Sequence, residues 1–146
     1  MNWVERRLVR ENALNTGGPE IWNKLRSSMQ DACETYNNHC SHAPNRQVKY
    51  ELENCKRFRV KKTIRTIHSS SSHRDDCFFV IASFESAPPH IDVTGEGPVQ
   101  SSAIPICSNE ETVFFGSLEK PTDVEEISRR ILEPLLFPTG QYRDVS

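Results

Sequence analysis

Lys56-Arg57-Phe58-Arg59-Val60-Lys61-Lys62-Thr63-Ile64-Arg65-Thr66-Ile67-His68 alternates two chemistries along its length. The even positions include Phe58, Val60 and Ile64, while Arg57, Arg59, Lys61 and Arg65 occupy odd ones. A period of two places these sets on opposite faces of a β-strand, one apolar and one cationic. A strand with one apolar face needs a covering layer, which an antiparallel sheet obtains from helices packed on that side.

The flanking residues keep the same period. Val48, Tyr50 and Leu52 alternate with Lys49, Glu51 and Glu53, and Asn54-Cys55-Lys56 forms the turn between the two strands. Matching the apolar faces sets Leu52 opposite Phe58 and Tyr50 opposite Val60, which brings Glu53 to Arg57 and Glu51 to Arg59. Ser69–His73 reads as a flexible hairpin tip leading to a strand at 76–85, apolar on both faces and therefore central. Pairing Phe58 with Phe84 and Val60 with Ala82 would set Arg57 opposite Glu85. Beyond Ala87-Pro88-Pro89 come a short strand at Ile91 and Val93, a turn at Thr94–Pro98, and a strand over 99–107. Pro105 favours an edge or a bulge for that strand. Thr112–Gly116, with Val113, Phe114 and Phe115, completes a meander of six strands over 47–116.

Helices bracket the meander. Asn2 with Glu5 makes a capping-box pattern, and Gly17-Gly18 favours a helix end, so a short first helix is expected within 1–18. Pro19 suits the first position of a second helix over 19–37, whose stripe is Ile21, Trp22, Leu25, Met29, Ala32, Cys33 and Tyr36. Thr122 with Glu125 marks the start of a C-terminal helix over 122–137, which Pro134 should kink or end near Leu132. Residues 139–146 read as a loose tail. The expected fold is a single α+β domain over 1–138, an antiparallel six-strand meander packed on one face by the main N-terminal helix and the C-terminal helix.

Bulk properties narrow the function. With 146 residues, 36% of them hydrophobic, and a mean hydropathy of −0.61, the chain supports a thin two-layer domain. The N-terminal residues carry no apolar leader and the longest apolar run, Phe78–Ala82, cannot cross a membrane. Five scattered cysteines fit reduced thiols better than a disulfide framework, so a cytoplasmic protein without membrane contact is expected. Net charge is only −2, yet residues 46–74 hold nine Lys or Arg against two Glu, and residues 75–109 hold five acids and no Lys or Arg.

Four groupings offer chemistry. On the basic strand, once Glu51, Glu53 and Glu85 take their arginines, Lys61 and Arg65, with Lys49 and Arg59, remain as residues for binding an anion or a partner; nucleic acid is a weaker candidate, since few aromatics interleave the charges. Cys33, His39, Cys40 and His42 are zinc-ligand types, but their spacing lacks the two short ligand pairs of a standard site, and no metal or other cofactor is expected. Cys77 near His73, Asp75 and Asp76 could serve a small cysteine-dependent enzyme only if thiol and imidazole converge. His90 and Asp92 share a strand face. No glycine-rich phosphate loop is present, because Gly95-Glu96-Gly97-Pro98 precedes no helix. The expected function is a non-catalytic binding or adaptor protein. It would engage a protein partner, or its own copy as a homo-oligomer, through the exposed sheet face or the Thr112–Gly116 strand edge.

Overall fold

The computed structural model describes residues 1–145, and in it the basic run becomes the second strand of an antiparallel sheet. Helix α1 (Trp3–His39) and a 3-10 turn (Pro44–Arg46) lead into β1 (Lys49–Glu53) and β2 (Arg57–Ser69). There follow β3 (Ser72–Ser86), β4 (Pro89–Gly95), β5 (Ser102–Ser108), β6 (Val113–Gly116), β7 (Pro121–Thr122), α2 (Val124–Leu136) and β8 (Tyr142–Asp144). Strands β1 to β7 lie side by side in chain order, and β8 returns to pair with β2. The α+β meander is as expected, with two short strands, β7 and β8, added to the six.

Helix α1 corrects the expected break at Gly17-Gly18, for it runs unbroken through Pro19. The glycines serve close packing rather than termination. A Cβ at Gly17 would lie 2.4 Å from Val113 Cγ2, and one at Gly18 would lie 3.5 Å from the Phe84 ring. Proline inside a helix costs about 3 kcal/mol. The next turns bury Trp22, Leu25 and Met29 almost completely, each contributing about 1.5–3 kcal/mol, so burial outweighs the defect. Asn2 caps the start by accepting from the Glu5 amide at 2.9 Å. The helix also passes its expected end at residue 37, because Asn37 is used to hold β1: its side chain accepts from Val48 N at 2.8 Å and donates to Val48 O at 3.0 Å.

The β1–β2 register is as expected, with Tyr50 opposite Val60, Leu52 opposite Phe58, Glu51 opposite Arg59 and Glu53 opposite Arg57. The β2–β3 register differs by two residues: Phe58 faces Ala82, Val60 faces Val80, and Arg57 faces Ser83 rather than Glu85. The supposed five-residue tip is a tight turn in which Ser69 pairs with Ser72 after a bulge beyond Ile67. A slip of two preserves every side chain's face, and β3 is apolar on both, so hydrophobic matching cannot separate the two registers. Strand β3 is central, as expected, and β5 changes partner at Pro105: Ser102–Pro105 pair with β4 and Ile106–Ser108 with β6.

At the C-terminus, Asp123 rather than Thr122 caps α2, accepting from Glu126 N at 2.8 Å, since Thr122 already pairs with Phe115 in β7. Pro134 lies inside α2, which ends at Leu136 rather than Leu132. Its last turn buries Leu135 and Leu136 against the sheet, and that burial holds the turn in place. The expected loose tail contains β8, which is paired with Ile64–Thr66 of β2. Both helices cover the same face of the sheet. The core between the layers joins Trp22, Leu25, Met29 and Cys33 to Phe58, Val60, Ile64, Ile91, Phe115, Ile127 and Leu135.

Candidate functional site

Strand β2 presents its odd positions to solvent, and most of their charge is already satisfied. Arg59 is paired with Glu51 and reaches Glu53 at 3.0 Å, while Arg57 meets Glu53 at 3.7 Å. The two-residue shift brings Asp75, not Cys77, opposite Arg65, and a two-pronged pair forms at 2.9 and 3.2 Å. Hydrogen bonding to these guanidinium groups holds the Glu51 and Asp75 carboxyls below their usual range. Of the four cations expected to bind a partner, Arg59 and Arg65 are therefore occupied. Lys49 and Lys61 remain, directly opposite each other across the β1–β2 ladder.

The inner face of β2 holds a group that the alternation conceals. Lys62 occupies an even position between Val60 and Ile64, and it is 1% exposed. Its ammonium donates to Leu136 O at 2.8 Å and to Asp144 Oδ1 at 2.5 Å, and it lies 4.9 Å from the centre of the Tyr36 ring. The other oxygen of Asp144 meets Arg46 at 3.0 Å. Four segments converge here: the last turns of α1, the 3-10 turn, the end of α2 and β8. Burial pulls the Lys62 pKa down, and the Asp144 hydrogen bond and charge oppose that pull. Tyr36 is pushed up to about 12, first by burial and then by the charge of Asp144. The Tyr36 hydroxyl lies against the Arg46 guanidinium, and that contact, followed by the charge of Asp144, raises the Arg46 pKa. Position parity in the Lys61-Lys62 doublet was the available sequence signal, since one of two adjacent strand residues must face inward.

A groove of about 900 Å³ runs between α1 and α2 and ends at this cluster. Ala32, Tyr36, Leu132, Leu136 and Phe137 give it an apolar floor, and Lys24, Asp31, Glu125 and Arg129 stand on its rims. Phe137 is 57% exposed and packs edge-on against Tyr36, with ring centres 5.7 Å apart. The volume lies within the range of ligand clefts, roughly 300–1,000 Å³.

No protein-family model, curated protein or solved structure matches this chain. The functional reading therefore rests on geometry.

The remaining groupings do not assemble into sites. Cys33 and Cys40 are buried, while His39 and His42 face solvent. Burial lifts the Cys33 thiol to about 12, the opposite of what a thiolate ligand needs. Among the described residues no three His, Cys, Asp or Glu side chains converge on a metal position. His73 and Cys77 sit four residues apart on one extended strand, about 13 Å at the usual rise, too far for proton transfer. His90 and Asp92 do meet, at 3.2 Å, on the uncovered face. Strand β6 is not the free edge that was expected, because β7 pairs with Phe115 and Gly116, and Phe115 is fully buried.

Proposed function

We propose that this chain is a non-catalytic binding or adaptor protein that engages a second copy of itself, through the uncovered N-terminal turns of α1. One observation carries the reading. The N-terminal turns of α1 carry three large apolar side chains, Trp3, Val4 and Leu8, that are 78%, 44% and 58% exposed. Trp3 and Val4 lie at the two margins of the arc of Ile21, Trp22, Leu25 and Met29, Leu8 lies about 40° beyond it, and the Arg7–Glu11 ion pair occupies its middle. Apolar side chains held in water on a helix are the donor half of helix-in-groove recognition, and the α1–α2 groove is a receptor of suitable kind on the same chain.

The magnitudes favour a weak assembly. Burying the three side chains gains about 1.5–3 kcal/mol each. Association costs about 4–15 kcal/mol in lost freedom. Self-association should therefore depend on concentration, with a dissociation constant no tighter than roughly 0.2 mM. Sedimentation velocity over a dilution series tests this. The native chain should shift from monomer to dimer as concentration rises, and Leu8→Glu should stay monomeric with its melting temperature unchanged. A native chain that is monomeric throughout would remove the basis of the proposal.

A second reading rests on Lys49 and Lys61. Like charges directly opposite each other weaken a sheet, and among the described residues neither lysine forms an ion pair with a carboxylate. A weak anion or nucleic-acid contact would use them. It should fade steeply with added salt and vanish in Lys61→Glu; salt-insensitive binding would exclude it.

A further inference from the structure

The outer edge of β2 is shared between two strands. Strand β1 pairs with Arg57–Lys61, and β8 pairs further along, at Ile64–Thr66. Only three residues form β8, and none of them is buried. Its grip comes from the ladder, from Ile67 N donating to Gln141 O at 2.7 Å, and from two side chains spaced by two. Tyr142 sets its ring edge-on against Phe78, with centres 5.8 Å apart, and Asp144 places its carboxylate on Lys62 and Arg46.

The receiving half belongs to the body of the fold. Lys62 is fixed by Leu136 O and the Tyr36 ring, and Arg46 stands beside it, so two cations converge on one carboxylate position. Removing that carboxylate would leave a buried ammonium with one hydrogen bond, a costly state that any incoming carboxylate would relieve. The connection from α2 to β8 turns at Gly140. Gly140 has a φ of +66° and nothing within 4 Å of where a Cβ would stand.

We infer that the β2 edge from Lys62 to Ile67 is a docking site for an extended segment of a partner protein. That segment would carry an aromatic residue and, two positions later, a carboxylate, and β8 would be the chain's own occupant of the site. The segment adds a strand to β2 by main-chain hydrogen bonds, and the Lys62–Arg46 pair reads its acid. This surface is separate from the exposed end of α1, so Leu8→Glu should leave it intact.

The test titrates the full chain with a labelled peptide of the sequence Gly140 to Val145, followed by fluorescence anisotropy. The peptide competes with the chain's own β8. Binding to an Asp144→Asn chain should therefore be tighter than to the native chain, by about a hundredfold. An Asp-to-Asn change within the peptide should abolish binding to both. A chain carrying Arg65→Cys with Arg143→Cys, opposite each other in the ladder, keeps every Lys62 contact and can be locked by a disulfide. It should bind peptide only after reduction. No binding to the native, Asp144→Asn or reduced double-cysteine chain would overturn the inference and leave β8 a fixed strand. So would exclusion of the peptide by a dimer that exchanges its own β8 segments.

Discussion

Replacing Asp144 by Asn tests the energetics of the inner cluster. The substitution keeps size and shape but removes the charge that faces Lys62 at 2.5 Å and Arg46 at 3.0 Å. Breaking a buried pair by removing one partner costs about 3–5 kcal/mol. The lower figure applies, because Lys62 keeps Leu136 O and the Tyr36 ring and because the Asp144 side chain is 28% exposed. With an unfolding entropy of roughly 2.1 cal/mol/K per residue, a chain of this size loses about 3 °C per kcal/mol. Asp144→Asn should therefore melt about 10 °C lower by differential scanning calorimetry. Combining it with Lys62→Met should recover much of that loss, since an apolar side chain of similar length suits the site.

The pH dependence supplies an independent sign. Lys62 has its pKa lowered in the folded state, so the unfolded chain binds the proton more tightly. Stability then rises as pH climbs toward the ordinary lysine value. Removing Asp144 takes away the favourable contribution to the charged form and enlarges this effect, so the deficit of Asp144→Asn should shrink as pH climbs toward the ordinary lysine value. A melting temperature within a degree of native, or a deficit that grows with pH, would show that Asp144 does not hold the Lys62 charge.

Other consequences follow from the same geometry. The Cys33 thiol is raised from 9.0 to about 12 in the fold, so stability is fully present below pH 9.0 and declines as pH rises through that window. A shift of that size corresponds to something on the order of 4 kcal/mol. Calorimetry should show a shallower alkaline decline in Cys33→Ala, and an identical slope would contradict it. Gly17→Ala should destabilise by about 1–2 kcal/mol, because crowding against Val113 exceeds the gain of about 1 kcal/mol in helix propensity. Urea unfolding in a Val113→Ala background should reverse that sign. Lys61→Glu should stabilise by about 0.2–1 kcal/mol, since it converts a cross-strand like-charge pair into an opposite one.

Much of the fold was legible because period two is stringent. Val48 to Ile64 specified the first hairpin down to the Glu51–Arg59 pair. The second hairpin misled because β3 carries Phe79 and Ile81 on one face and Val80 and Ala82 on the other, which leaves slips of two indistinguishable. Gly17-Gly18-Pro19 carries every local mark of a helix boundary. Contacts with Val113 and Phe84, nearly a hundred residues away for the first, are invisible to local reading. The basic face was legible as charge but not as pairing. Lys62 was overlooked because its partner, Asp144, lies eighty-two residues further along, in a segment too short and polar to read as a strand.

If the exposed N-terminal turns of α1 dock onto a second copy, hydrogen exchange of the native chain, read by mass spectrometry over residues 3–13 at low and high protein concentration, will register it. Exchange there should be fast when dilute, with protection that grows with concentration and is absent in Leu8→Glu, while Ile21–Tyr36 stay protected throughout. Equal exchange of residues 3–13 at every concentration would contradict it.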